Sequence, residues 1–201
     1  MKQPSVYSNS QIIDAAFELV REQSWSEVST RAIAKKLGSS TMPIYSHVKS
    51  MEELEKELLT RARNLLKDFQ QRPYTEFALL NLAFGYVTFA RDEKQLFRFL
   101  YLERPNKVDL EDVSGMKESF FAQFGGESEA GKALSELQAS GQEALIQYTW
   151  IFTHGLAMLV NSGAFGHNSD EVILSYLKNA GEAFYIWGTQ KGGEDLEKKA
   201  E

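Results

Sequence analysis

Apolar residues recur three and four positions apart along nearly the whole chain, and that spacing leaves little room for anything but helices. No long alternation of polar and β-branched residues is present, and neither Asn-Gly nor Asp-Gly, the dipeptides that favour tight hairpins, occurs. The expected fold class is all-α. With 201 residues, 43% of them hydrophobic and 25% charged, the chain has the composition of an ordinary soluble globular protein. Folding at this size buries about 70% of the unfolded surface, enough for a sizeable core.

Capping residues divide the periodic pattern. Ser8-Asn9-Ser10-Gln11 has the spacing of a capping box, and Ile12, Ile13, Ala16, Phe17 and Val20 form one stripe, predicting a first helix from Asn9 to Ser24. Ser29 or Thr30 can cap a short second helix carrying Ile33, Ala34 and Leu37, with Gly38 as the left-handed residue that stops it. Ser39-Ser40-Thr41 offers a new cap within one turn. The third helix is then confined to Thr41 through His47, where Pro43 is tolerated because first-turn amides need no intrahelical partner. Ser50-Met51-Glu52-Glu53 opens a longer fourth helix that runs toward Pro73. Beyond it, periodic segments cover Thr75 to Arg91, Glu93 to Glu103, Leu110 to Phe124, Ala139 to Gly163 and Ser169 to Gln190, while 126–138 reads equally as loop or short helix. The expected organisation is residues 1–50, a connecting helix over 51–73, and a larger helical region over 74–201.

Several function classes lack their residues. The chain has no cysteine, so disulfides, thiolate nucleophiles and cysteine-ligated metals are excluded. Its three histidines, His47, His154 and His167, are scattered, and none has a glutamate three positions earlier as a di-iron bundle requires. Residues Gly126 to Lys132 match the spacing of a phosphate-binding loop, but Ala133 stands where a magnesium-binding hydroxyl belongs and no strand precedes it. The expectation is no enzyme activity, no cofactor and no metal. No apolar stretch approaches the roughly 20 residues of a membrane helix, and Met1 to Ser10 lacks the apolar run of a signal peptide. A cytoplasmic location with no membrane partner is expected.

The formal charge of −6 argues against a surface that coats nucleic acid as a whole. Charge is unevenly spread, however. Between Val28 and Met51 there is no acidic residue, while Arg31, Lys35, Lys36 and Lys49 give a local balance of +4; from Pro73 to Glu201 the balance is −8. The acid-free stretch coincides with the two short helices meeting through Gly38-Ser39-Ser40. That layout is a helix-turn-helix, whose second helix enters the DNA major groove. Ile33, Leu37, Ile44 and Val48 can close over the stripe of the first helix, leaving Thr41, Met42, Pro43, Tyr45, Ser46 and His47 outward.

The run Thr30-Arg31-Ala32-Ile33-Ala34-Lys35-Lys36-Leu37-Gly38, then Ile44-Tyr45-Ser46-His47-Val48-Lys49, then Leu54, resembles the tetracycline-repressor (TetR) family, densely over Ser10 to Leu59. The resemblance implies a homodimeric transcription regulator with an N-terminal DNA-binding region and a divergent helical ligand-binding and dimerisation region. Position by position, it implies phosphate contacts from Thr30 and Lys49, a phosphate or base-edge contact from Arg31, and backbone bracing by Tyr45 and His47. Ser40, Thr41, Met42, Pro43 and Ser46 complete the DNA-facing set. Two positions depart from the family pattern: Met51 replaces a lysine at the start of the fourth helix, and Ser24 replaces a glycine that ends the first. A serine held left-handed there would cost roughly 1 kcal/mol.

The later region is crowded with aromatics, most of them core by default. The surplus of flat side chains with polar tips favours a cavity for a small apolar or aromatic effector. Its candidate lining is Phe84, Phe89, Phe97, Tyr101, Phe120, Phe121, Tyr148, Phe152 and His154. The Trp150 and His154-Gly155 spacing is similar to one subgroup of TetR-type C-terminal regions. Gly85, Gly155 and Gly181 inside helical runs suggest close helix approach or a cavity wall. By the same resemblance, the last two long helices pair with their mates in a dimer through Leu156, Leu159, Val160, Leu177, Phe184 and Trp187. The expected function is a ligand-responsive regulator, most often a repressor, acting on a palindromic double-stranded DNA operator. The alternative is a non-enzymatic helical small-molecule-binding module that has lost DNA binding.

Overall fold

A computed structural model describes residues 7–103, 137 and 139–191. The described residues form α-helices and no strand: α1 (Asn9–Glu22), α2 (Thr30–Lys36), α3 (Met42–His47), α4 (Met51–Gln70), α5 (Ala78–Asp92), α6 (Lys94–Tyr101), α7 (Ala139–Ser162) and α8 (Asp170–Lys191), with a 3-10 turn at Trp25–Glu27. The segment Leu110 to Phe124, the phosphate-loop lookalike and residues Phe120 and Phe121 lie outside the described residues. No helix among the described residues is long and apolar enough to cross a membrane.

By contact the described residues fall into two compact units, 7–67 with 92–103, and 68–91 with 137 and 139–191. In the first, the capping box is complete: the Ser8 hydroxyl accepts from the Gln11 amide, and Gln11 Oε1 accepts from the Ser8 amide at 2.9 Å. Ile12, Ala16 and Val20 are fully buried. Helix α1 stops two residues earlier than its periodicity predicts. The Gln23 amide bonds the Leu19 carbonyl at 3.0 Å, and Ser24 is extended at φ −175°, ψ 169°. No non-glycine residue described has a positive φ, so the left-handed strain expected at Ser24 is absent.

Helix α6 packs on α1. Phe97 and Phe99 are fully buried, and the Phe99 ring centre lies 5.4 Å from that of Trp25. Arg21 Nε donates to Glu93 Oε2 at 2.7 Å, and the Glu103 carboxylate accepts from the Trp25 amide at 3.2 Å. Residues 92–103, which sequence alone assigns to the region after Pro73, therefore belong by packing to the first unit.

In the second unit, edge-to-face aromatic pairs join the end of α4 and the following turn to α5: Phe69 to Phe89 at 5.5 Å and Tyr74 to Phe84 at 4.8 Å. Gly85 permits this. A Cβ there would lie 2.3 Å from the Phe69 carbonyl oxygen. At Gly155 and Gly181, by contrast, an added Cβ would meet nothing within 4 Å, so neither marks a close approach within the chain. Helices α7 and α8 pack along each other, and Asn161 Nδ2 donates to the Ala90 carbonyl at 2.8 Å, holding α7 on α5. Arg91 closes the start of α8 through Asp170 Oδ1 at 2.6 Å.

Candidate nucleic-acid interface

The corner between α2 and α3 is built by local signals. The Ser29 hydroxyl caps α2 by accepting from the Ala32 amide at 3.1 Å. Gly38, at φ +64°, takes the left-handed conformation that ends it. Helix α3 begins at Met42 with Pro43 in its first turn; Thr41 flanks it without a side-chain cap. Ser50 caps α4 by accepting from the Glu53 amide at 3.0 Å. A two-turn helix is unstable alone, so α3 depends on its anchor: Ile44 is fully buried, as is Ile33 of α2, and both close over α1. Leu37 and Val48 are half-buried. Tyr7 adds a strut, its hydroxyl donating to the Leu37 carbonyl at 2.6 Å.

Of the six residues that sequence placed outward, Met42, Tyr45 and Ser46 are exposed and Thr41, Pro43 and His47 are only partly so. Met42 is 76% and Tyr45 63% exposed, the largest apolar exposures among the described residues. Arg31, Ser40, Ser46 and Lys49 are exposed; Thr30, Thr41, Pro43 and His47 are half-buried. The Thr30 hydroxyl donates to the Tyr45 hydroxyl oxygen at 3.3 Å. This bond bridges α2 and α3 and leaves Tyr45 its own proton to donate. Lys36 is paired with Glu22 at 2.7 Å, which spends part of the positive charge counted from sequence. Arg31, Lys35 and Lys49 have no ion pair among the described residues, so three cations border an exposed helix without a carboxylate in their segment.

The candidate effector residues are divided between the units. Phe97 and Tyr101 pack in a tilted pair in the first, ring centres 5.0 Å apart. The others described lie in the second, where Phe84 and Phe89 are buried, and Tyr148 and Phe152 each pack on Phe184 at 6.1 Å. His154 Nδ1 lies 2.9 Å from the hydroxyl of the buried Tyr86, and Trp150 stacks on its ring at 5.4 Å. Burial pushes the His154 pKa below its ordinary value, which keeps the imidazole neutral at pH 7. The hydroxyl of Thr153, the residue before His154, is buried with no hydrogen-bond partner. Tyr86 was not singled out by sequence, because nothing local distinguishes it from the aromatic residues around it.

Of the candidate dimer residues, Leu156, Val160 and Leu177 are buried within the second unit, Phe184 and Trp187 are half-buried, and Leu159 is 49% exposed. The exposed apolar face of α7 carries Ile151 and Leu159 with Gly155 between them, and that of α8 carries Tyr176 and Ile186. The four-residue spacing of 151, 155 and 159 was legible in the sequence. Among the described residues no group of His, Cys, Asp and Glu is arranged to hold a metal ion.

Comparison with known proteins falls on the same corner. Residues 12–58 match the family model of bacterial regulatory proteins, tetR family. An uncharacterized HTH-type transcriptional regulator of Bacillus subtilis (strain 168), YobS, is 32% identical over 83 residues, 39% of this chain and 44% of that protein, so the chain matches less than half of that relative's length. A crystal structure of a transcriptional regulator from Rhodococcus sp. Rha1 shares the fold, with a TM-score of 0.58 over 93% of this chain and 98% of the other at 16% identity. Matched residues and exposed helix-turn-helix corner coincide, so residues 12–58 are similar to the amino-terminal region of the tetR family of bacterial regulatory proteins.

Proposed function

We propose that the protein is a homodimeric, ligand-responsive DNA-binding transcriptional regulator, a repressor released from a palindromic operator by a small apolar or aromatic effector. The observation that carries DNA binding is the corner itself: Ile33 and Ile44 are fully buried, while Met42 and Tyr45 stand out beside Arg31, Lys35 and Lys49. Cations and hydroxyls at its rim position the protein on phosphates, and the second helix meets base edges.

Dimerisation is supported by the exposed apolar residues of α7 and α8, whose burial in a second copy removes Ile151, Leu159, Tyr176 and Ile186 from water. Gly155 lets the facing helices approach closely. Two copies of α3 then read half-sites about 34–36 Å apart. Effector binding in the second unit is supported by the hydrogen-bonded pair of Tyr86 and His154 with Trp150 stacked on the imidazole, and by the buried, unpartnered hydroxyl of Thr153 on the same helix. Coupling of about 1–3 kcal/mol between effector and operator suffices, because one angular change spoils two symmetric contacts together.

The test is a gel shift on genomic fragments across a salt series. A discrete complex whose affinity falls steeply with salt supports the reading, with a slope near −0.9 per phosphate contact. Absence of any discrete complex down to low salt overturns it.

A further inference from the structure

We propose that α3 reads its half-site chiefly through the C5-methyl groups of thymine, with Met42 and Pro43 as the reading surface. The inference rests on the DNA-binding reading above and deepens it by naming which DNA the corner selects.

Helix α3 is Met-Pro-Ile-Tyr-Ser-His and contains no Arg, Lys, Asn, Gln, Asp or Glu. Those are the side chains that recognise guanine, adenine or cytosine edges by hydrogen bonds. Three hydroxyls of the corner are already engaged within the chain, Tyr45 keeping its own proton to donate. Ser46 Oγ donates to the Pro43 carbonyl at 2.7 Å, Ser39 Oγ donates to the Ser40 carbonyl at 2.9 Å, and the Tyr45 hydroxyl oxygen accepts from Thr30. His47 is half-buried and already engaged within the chain. Ile44 is sealed in the core.

The leading surface of the helix is thus the thioether of Met42, 76% exposed, with the Pro43 ring beside it and the Thr41 methyl at the turn. In the major groove only the thymine methyl offers such a surface an apolar partner. A thioether on unbranched carbons adapts to the methyl's position. Arg31, at the start of α2, is the one side chain of the corner with bidentate reach to guanine, and removing a thymine methyl leaves any contact it makes unchanged.

The experiment uses the full chain and a duplex selected from a random-sequence pool by gel shift. Each thymine of the selected half-site is then replaced by deoxyuridine, which deletes the methyl and keeps every hydrogen-bonding group. At the read position we expect affinity to fall about fourfold per methyl, and about fifteenfold when both half-sites lose theirs. With Met42→Ala, which truncates an exposed side chain and spares the core, the deoxyuridine effect shrinks toward none. Pro43→Ala, assayed in parallel, separates the share of the proline ring. Full affinity for the all-deoxyuridine duplex overturns the inference while DNA binding stands. A deoxyuridine effect unchanged in both variants overturns the assignment to Met42 and Pro43. No discrete complex on any duplex in the pool overturns the DNA-binding reading and this inference together.

Discussion

The hydrogen bonds that cap the helices around the α2–α3 corner close over three positions, Ser29 to Ala32 and Ser50 to Glu53, and Gly38 ends α2, while only the anchoring of the corner on α1 reaches further. The polar centre of the second unit joins Tyr86 to His154, 68 positions apart, and α7 hangs on α5 through Asn161 and Ala90, 71 apart. A surface made by local contacts presents its chemistry wherever its short helices are anchored. A centre made by distant contacts exists only once the helices have packed. Binding and stability are therefore separable on the outward face of the corner and entangled in the second unit.

The largest effects are expected at buried Ile44 and at Gly85, which faces the Phe69 carbonyl. Ile44→Ala empties a fully buried site and should cost about 2–5 kcal/mol, read as a lower urea midpoint. Gly85→Ala comes next. Its new methyl meets the Phe69 carbonyl, an overpacking cost of about 1–3 kcal/mol that the gain of up to about 1 kcal/mol in helix propensity does not offset. Gly181→Ala is the control, since its methyl meets nothing within 4 Å in the chain; equal destabilisation of the two would discredit the contrast.

Arg31→Ala and Tyr45→Ala should each weaken operator binding about tenfold, roughly 1.4 kcal/mol, with circular dichroism and the unfolding midpoint nearly unchanged. For Arg31 the salt slope should also fall by about one. Loss of folding in either variant would mean that the outward face of the corner is core.

The smallest effect is the pH response of the second unit. Burial lowers the folded-state pKa of His154, so the unfolded chain binds the proton more readily and acid favours unfolding. Its contribution is fully favourable above the ordinary histidine pKa of about 6.5, is lost progressively as pH falls below that, and levels off once pH drops below the folded value. Melting temperatures between pH 7.5 and 5 should show this decline, and His154→Gln should flatten it. An unchanged profile in the variant would remove His154 from the account.

The helical class, the capping box at Ser8 and Gln11, the stop at Gly38, the short α3 and its outward set of Met42, Tyr45 and Ser46 were determined by sequence alone. The class, the capping box and the stop depend on periodicity or on a hydrogen bond closing within one turn, so neighbouring residues contain their cause; α3 needs in addition the burial of Ile44 against α1. Tertiary structure decided what needs two distant segments. Ser24 is extended instead of left-handed, Lys36 gives its charge to Glu22, and α6 joins α1 through Arg21 and Glu93, 72 positions apart. It also decided which stripe of α7 is buried: Leu156 and Val160 turn inward and leave Ile151, Gly155 and Leu159 outside. The reason is physical. A helix apolar on more than one side carries no mark of which side its neighbours will cover, and only the packing of α5, α7 and α8 makes that choice.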